Sequence, residues 1–153
     1  MTEPAWSGSI YIDGSWVAGA AGDAPVIEPA TGREIGRTGR AGVDDVGRAA
    51  SSAAVAQREW AALPHTKRAE VLRRAGDLFG EHSDEFARWN IREVGAVPGM
   101  AGFALHVAAE ECYTSSGLPG APYGQLIPSE EPRFSFSERV PAGVVGVISP
   151  FNV

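Results

Sequence analysis

The chain has 153 residues, 44% of them hydrophobic and 21% charged, with a formal net charge of -6. That length and balance suit one soluble globular domain with a real core. The acidic charge argues against nucleic acid, whose phosphates need a basic surface. No apolar run approaches membrane-spanning length, the acidic N-terminus carries no secretory signal, and the single Cys112 rules out an internal disulfide and fits a reducing, cytoplasmic setting.

In chain order, residues 1–9 are small and polar and are expected to be disordered. Ile10–Val17 reads as a hairpin, with Asp13-Gly14 suited to a type I′ turn between alternating apolar residues. Val26-Ile27 is a short strand; Pro29 and Gly32 mark a turn, and Glu34–Thr38 returns as a strand. A helix is expected over Val43–Ala62, with Asp44 and Asp45 in its first turn, where carboxylates suit the helix dipole. Its small-residue face is Val46, Ala49, Ala50, Ala53 and Ala54, and Leu63-Pro64 ends it. The second helix covers Thr66–Phe79, with Val71, Leu72, Ala75, Leu78 and Phe79 on one stripe and Gly80 as its stop. The third covers Asp84–Glu93, capped by Ser83, with Phe86 and Trp89 facing inward. The fourth starts at Pro98 and runs to Thr114, with Met100, Phe103, Ala104, Val107 and Ala108 as its buried face.

Ser115–Tyr123 is a Pro/Gly-rich connection. Tyr123–Ser129 and Pro132–Val140 are two extended pieces, the second alternating Phe134, Phe136 and Val140 with polar residues. Val144–Ile148 is a β-branched apolar run between Gly143 and Pro150, which predicts a strand buried on both faces of a parallel sheet. Ligands of open α/β sheets bind just beyond the carboxyl ends of such strands. Ser149-Pro-Phe-Asn152 stands at that place.

Three blocks carry a family resemblance: Tyr11-Ile-Asp-Gly-x-Trp16 followed by Pro29-Ala-Thr-Gly32; Trp60-x-x-Leu-Pro64 with Arg68, Val71-Leu-Arg-Arg74 and Leu78-Phe79; and Pro141-x-Gly-Val-Val-Gly-x-Ile-x-Pro-Phe-Asn152. Over residues 10–153 the chain resembles the N-terminal part of the NAD(P)-dependent aldehyde dehydrogenases. Pro122–Glu131 and Gly146–Asn152 are most similar to the benzaldehyde and vanillin type. The resemblance implies an α/β fold, truncated: a β-hairpin, a helical segment, bridging strands and the first strand of the cofactor-binding sheet. It divides the chain into 1–122 (hairpin and helices), 123–140 (bridging, oligomerisation strands) and 141–153 (the first, incomplete sheet strand).

The same resemblance implies oxidation of a small-molecule aldehyde to a carboxylic acid through a cysteine thiohemiacetal, with NAD or NADP. Asn152 falls on the oxyanion-hole asparagine, whose amide N–H meets the developing negative charge without adding a titrating group. Ile148, Ser149, Pro150 and Phe151 fall on the cofactor cleft. Homo-oligomerisation through 123–140 is implied, with no metal, nucleic acid or membrane. These 153 residues lack the family's nucleophilic cysteine, its water-activating glutamate and its ribose-binding lysine, so the chain alone is expected to be inactive. The alternative is a non-catalytic truncated product, or an assembly module that binds a full-length subunit. Residues 141–153 are expected to be exposed or docked non-natively in isolation, and to promote self-association together with Phe134-Ser-Phe136.

Other chemistry-bearing residues carry little. Cys112 lies within a predicted helix beside Glu110 and Glu111, whose charges disfavour a thiolate. His65, His82 and His106 show no metal-ligand spacing. No Gly-x-Gly-x-x-Gly, P-loop or Gly-x-Ser-x-Gly motif occurs.

Overall fold

The computed structural model describes residues 4–149. Two antiparallel hairpins come first: β1 (Ser9–Ile12) with β2 (Ser15–Ala18), and β3 (Asp23–Ile27) with β4 (Glu34–Gly39). Four helices follow, α1 (Val43–Ala62), α2 (His65–Glu81), α3 (Ser83–Val94) and α4 (Pro98–Gly117), and then a 3-10 turn at Leu118–Gly120. A last antiparallel pair, β5 (Gly124–Ile127) with β6 (Ser135–Glu138), completes the described elements.

The first hairpin turns where its chemistry predicts. Ile12 pairs with Ser15 across Asp13-Gly14, and both turn residues have positive φ, 53° and 74°, as a type I′ turn requires. Ser52 on α1 donates to the Asp13 carboxylate (2.7 Å), which fixes the turn on the helix. The expected disorder of residues 1–9 is corrected from Pro4 onward. Ser7 N–H donates to Pro4 O, Gly8 N–H to Arg37 O, and the Trp6 ring meets Trp89 edge-on at 5.7 Å. The aromatic anchor and the ladder-like bond to β4 outweigh the polar composition around them.

Helix positions agree with the apolar periodicity; several ends and faces do not. Gly80 does not stop α2, which runs on to Glu81, where Arg74 holds the carboxylate by two hydrogen bonds. Ser83 is not a cap: His82 occupies that position, with no side-chain capping bond, and also ends α2. The α1 face is rotated from Val46, which is exposed, to Asp45, Ala49, Ser52, Ala53 and Gln57. On α2, Val71 and Leu78 are exposed while Leu72, Ala75 and Phe79 are partly buried. Phe86 is exposed, although its ring lies 5.6 Å from that of Phe79, and Trp89 is half-buried.

The largest correction concerns α4. Met100, Phe103, Ala104 and Val107 are exposed, while Ala101 is wholly buried and Leu105, Ala108, Cys112 and Ser116 continue the same face. This helix is apolar on almost every side, so periodicity could not choose its inner face. The choice was made by size. Ala69 and Gly76 of α2 are buried, as are Ala101 and Ser116 of α4, and small residues let two helices approach closely. Tyr113 lies over Gly76, where an added Cβ would come within 2.7 Å of its ring, and its hydroxyl donates to Asp77 (2.9 Å).

Val144–Ile148 forms no strand and no parallel pair among the described residues, so the strand buried on both faces is corrected, while residues 141–149 are all exposed, as expected of this run in isolation. Val145, Val147 and Ile148 are exposed, Ile148 at 97%. A strand exists only as a paired ladder, and no described segment lies alongside this one to complete it.

Candidate functional site

Of the five residues assigned to chemistry from the sequence, Pro150, Phe151 and Asn152 lie outside the described residues. Ile148 and Ser149 are described, and both are exposed on irregular backbone. Only two of these five side chains therefore fall within the described residues. Cys112 is free and half-buried on α4. Among the described residues no group of three or more His, Cys, Asp and Glu is placed to hold a metal, and no helix is long and apolar enough to cross a membrane.

Among the described residues, a cleft of about 640 Å³ lies where α1, α2, the 3-10 turn and residues 139–143 converge. Trp60 and Leu72 supply apolar walls, Arg68 a guanidinium, and Ser115 and Tyr123 hydroxyls. Among the described residues no carboxylate, imidazole or thiol lines it. Its polar work is structural. Arg68 Nη1 donates to Ala61 O (3.0 Å) near the end of α1, where a cation suits the exposed carbonyls. Arg68 Nη2 donates to Tyr123 Oη (2.9 Å), which itself donates to Pro119 O (3.3 Å). Arg68 stood out in the sequence only as part of a motif block, and its partner 55 positions away had no local signal.

Two carboxylates tie the hairpins to the helices. Asp45, 1% exposed, accepts from the backbone N–H groups of Ala20 (2.7 Å) and Gly42 (2.8 Å) and pairs with Arg48. Those two backbone bonds first, then the Arg48 guanidinium, lower its pKa from 3.8 to about 2. This is half of a capping box, since Gly42 has no side chain to return the bond. Glu28, 9% exposed, accepts from Thr31 Oγ1, Arg92 Nε (3.0 Å) and Arg33. The Thr31 bond first, then those from Arg92 and Arg33, lower its pKa from 4.5 to about 2. The sequence placed Asp45 in a first turn; nothing in it announced Glu28, whose partner on α3 is 64 residues away.

Folding lowers both pKa values, so in acid the unfolded chain binds more protons than the folded one. The stability these groups contribute is complete above their unfolded values of 4.5 and 3.8 and is lost as pH falls towards about 2. Urea midpoints of the full-length protein should therefore drop through that window, and Glu28→Gln should shallow the drop. Equal acid sensitivity in Glu28→Gln and the parent would show that Glu28 is not a source of it.

Comparison with known proteins places these observations. The aldehyde dehydrogenase family description matches residues 16–153. A vanillin dehydrogenase of Amycolatopsis sp. is 55% identical over 152 residues, covering 99% of this chain and 31% of that protein. A benzaldehyde dehydrogenase [NAD(+)] of Pseudomonas putida is 40% identical over 151 residues, covering 98% of this chain and 31% of that protein. The crystal structure of a NAD-dependent benzaldehyde dehydrogenase from Corynebacterium glutamicum superposes with a TM-score of 0.78 at 31% identity, covering 85% of this chain and 28% of the other. The chain thus spans less than a third of the length of each of these relatives. From the hairpin that opens β2 to the run that ends in Asn152, the motif blocks, the fold and the matched residues agree: the chain belongs to the aldehyde dehydrogenase family.

Proposed function

We propose that this chain is the N-terminal part of an NAD(P)-dependent aldehyde dehydrogenase that oxidises an aromatic aldehyde to its carboxylic acid. The observation that carries the reading is the 55% identity to a vanillin dehydrogenase along 99% of the chain. The 40% identical relative is named for benzaldehyde and NAD(+), which supports the same substrate class and cofactor. In this reading a cysteine outside these 153 residues attacks the aldehyde carbonyl. Asn152 donates its amide N–H to the oxygen of the resulting tetrahedral thiohemiacetal.

Ile148, Ser149, Pro150 and Phe151 would border the cofactor, which when bound supplies the acceptor for hydride. The fit rests on Ile148, which leaves an apolar side chain almost wholly uncovered beside a hydroxyl. Ile148 and Ser149 are both exposed, so in this reading the remaining walls of the site come from elsewhere in the protein. The β5–β6 ribbon serves assembly with a second copy. Its outward Leu126 is 70% exposed and Phe136 60%, and such a patch on a projecting strand pair favours association. The free Cys112 suits a reducing cytoplasm.

The test is reduced-nicotinamide formation by the purified full-length protein with vanillin, benzaldehyde and an aliphatic aldehyde, using NAD and NADP in turn. The expected result is the highest kcat/KM for an aromatic aldehyde, with no turnover by residues 1–153 alone. Absence of turnover with all three would overturn the oxidation reading. Turnover by the 153-residue chain that is lost in Cys112→Ala would move the nucleophile to Cys112.

A further inference from the structure

The β5–β6 ribbon touches the helical body mainly at its root. All four residues of β5 and three of the four in β6 are exposed, and its close element contact is internal, between its own two strands. Two chain segments cross at that root: Tyr123, which leads into β5, and Arg139, which leaves β6. The Arg139 backbone N–H donates to Tyr123 O, closing the base of the ribbon. Next to it, Gly124 approaches the Ser137 carbonyl so closely that a Cβ would lie 1.8 Å from its oxygen. Ser137 Oγ also accepts from Gln125 N–H (3.2 Å). The root is therefore stiff within itself.

The Tyr123 side chain hydrogen-bonds this stiff root to the body. Its hydroxyl accepts from Arg68 Nη2 and donates to Pro119 O, while the same guanidinium holds the end of α1 through Ala61 O. A half-buried planar fork bonding two groups at once constrains both their separation and their angle. A projecting ribbon amplifies any rotation at its root into a larger displacement at its tip.

We propose that Arg68 and Tyr123 form a clamp that fixes the direction of the β5–β6 ribbon, and that both are positioning residues for assembly with a second copy of the chain. This rests on the reading above that the ribbon is the assembly element. The clamp makes a prediction distinct from that of a contact residue: Arg68 lies on α2, outside the ribbon, yet losing it should weaken association.

The experiment uses the full-length protein. Sedimentation equilibrium is measured for the parent, Arg68→Met, Tyr123→Phe and Leu126→Asp, with hydrogen exchange at the Arg139 amide and across the β5–β6 ladder. Tyr123→Phe removes one hydroxyl and keeps the ring, so it stands as the test even where Arg68→Met fails to fold. The expected result is a subunit dissociation constant raised about tenfold by Tyr123→Phe, comparable to losing one charge-assisted hydrogen bond. Arg139 exchange should be faster and helix content unchanged. Leu126→Asp should weaken association while leaving Arg139 exchange as in the parent. If Leu126→Asp leaves association unchanged, the ribbon is not the assembly element and the underlying reading falls. If Leu126→Asp weakens association while Tyr123→Phe alters neither association nor Arg139 exchange, the clamp itself is wrong.

Discussion

In the full-length enzyme, Asn152→Ala should lower kcat by roughly 10²–10³, with a much smaller change in KM. The proposed role explains the split. An amide N–H aimed at an oxyanion meets little charge in the ground-state carbonyl and much more in the tetrahedral state. Its removal therefore costs the transition state more than it costs binding. Asn152→Asp should be at least as damaging, because a carboxylate presents a negative charge where negative charge develops. The measurement is steady-state kinetics of aldehyde oxidation, with single-turnover kinetics to separate the chemical step from product release. An Asn152→Ala enzyme with unchanged kcat in the chemical step would show that this side chain does not face the reacting oxygen.

The second large effect is expected at the junction of the two N-terminal hairpins. A Cβ added at Gly39 would lie 2.6 Å from Ser9 C, 2.8 Å from Ser9 O and 2.9 Å from Ile10 N. All three are backbone atoms of β1 or its start, so no rotamer change relieves the clash. Either β1 or the end of β4 must shift, and with them the Gly8–Arg37 bond that joins the hairpins. Gly39→Ala should thus destabilise the fold by about 1–3 kcal/mol, the usual range for overpacking a close contact. Gly36, three residues earlier in the same strand, has open space where its Cβ would point. Gly36→Ala should be neutral or stabilising by about 0.5–1 kcal/mol, because it lowers the entropy of the unfolded chain without a clash. The pair is compared by urea denaturation of the full-length protein. Equal midpoints for the two variants would mean that the β1–β4 approach yields easily and is not a constraint on the fold.

The sequence itself determined the order and kind of the described elements. Asp13-Gly14 sets a two-residue turn because both positions tolerate positive φ. The 43–62 run gives a helix because its good helix formers are bounded by Gly42 before and by Leu63-Pro64 after. Family membership was likewise written in local strings, because residues in a short motif need no distant partner to be recognised.

Only the tertiary structure decided which faces are covered and which polar groups meet. The inner face of α4 follows from where Gly76 lets α2 approach, not from a stripe that an all-round apolar helix lacks. Glu28 finds Arg92 across 64 residues, and Arg68 finds Tyr123 across 55. Val144–Ile148 has the composition of a buried strand, but composition supplies only side chains that would suit a sheet. The backbone N–H and C=O groups must be satisfied by a neighbour, and whether one lies alongside is a property of the assembled fold rather than of the run itself.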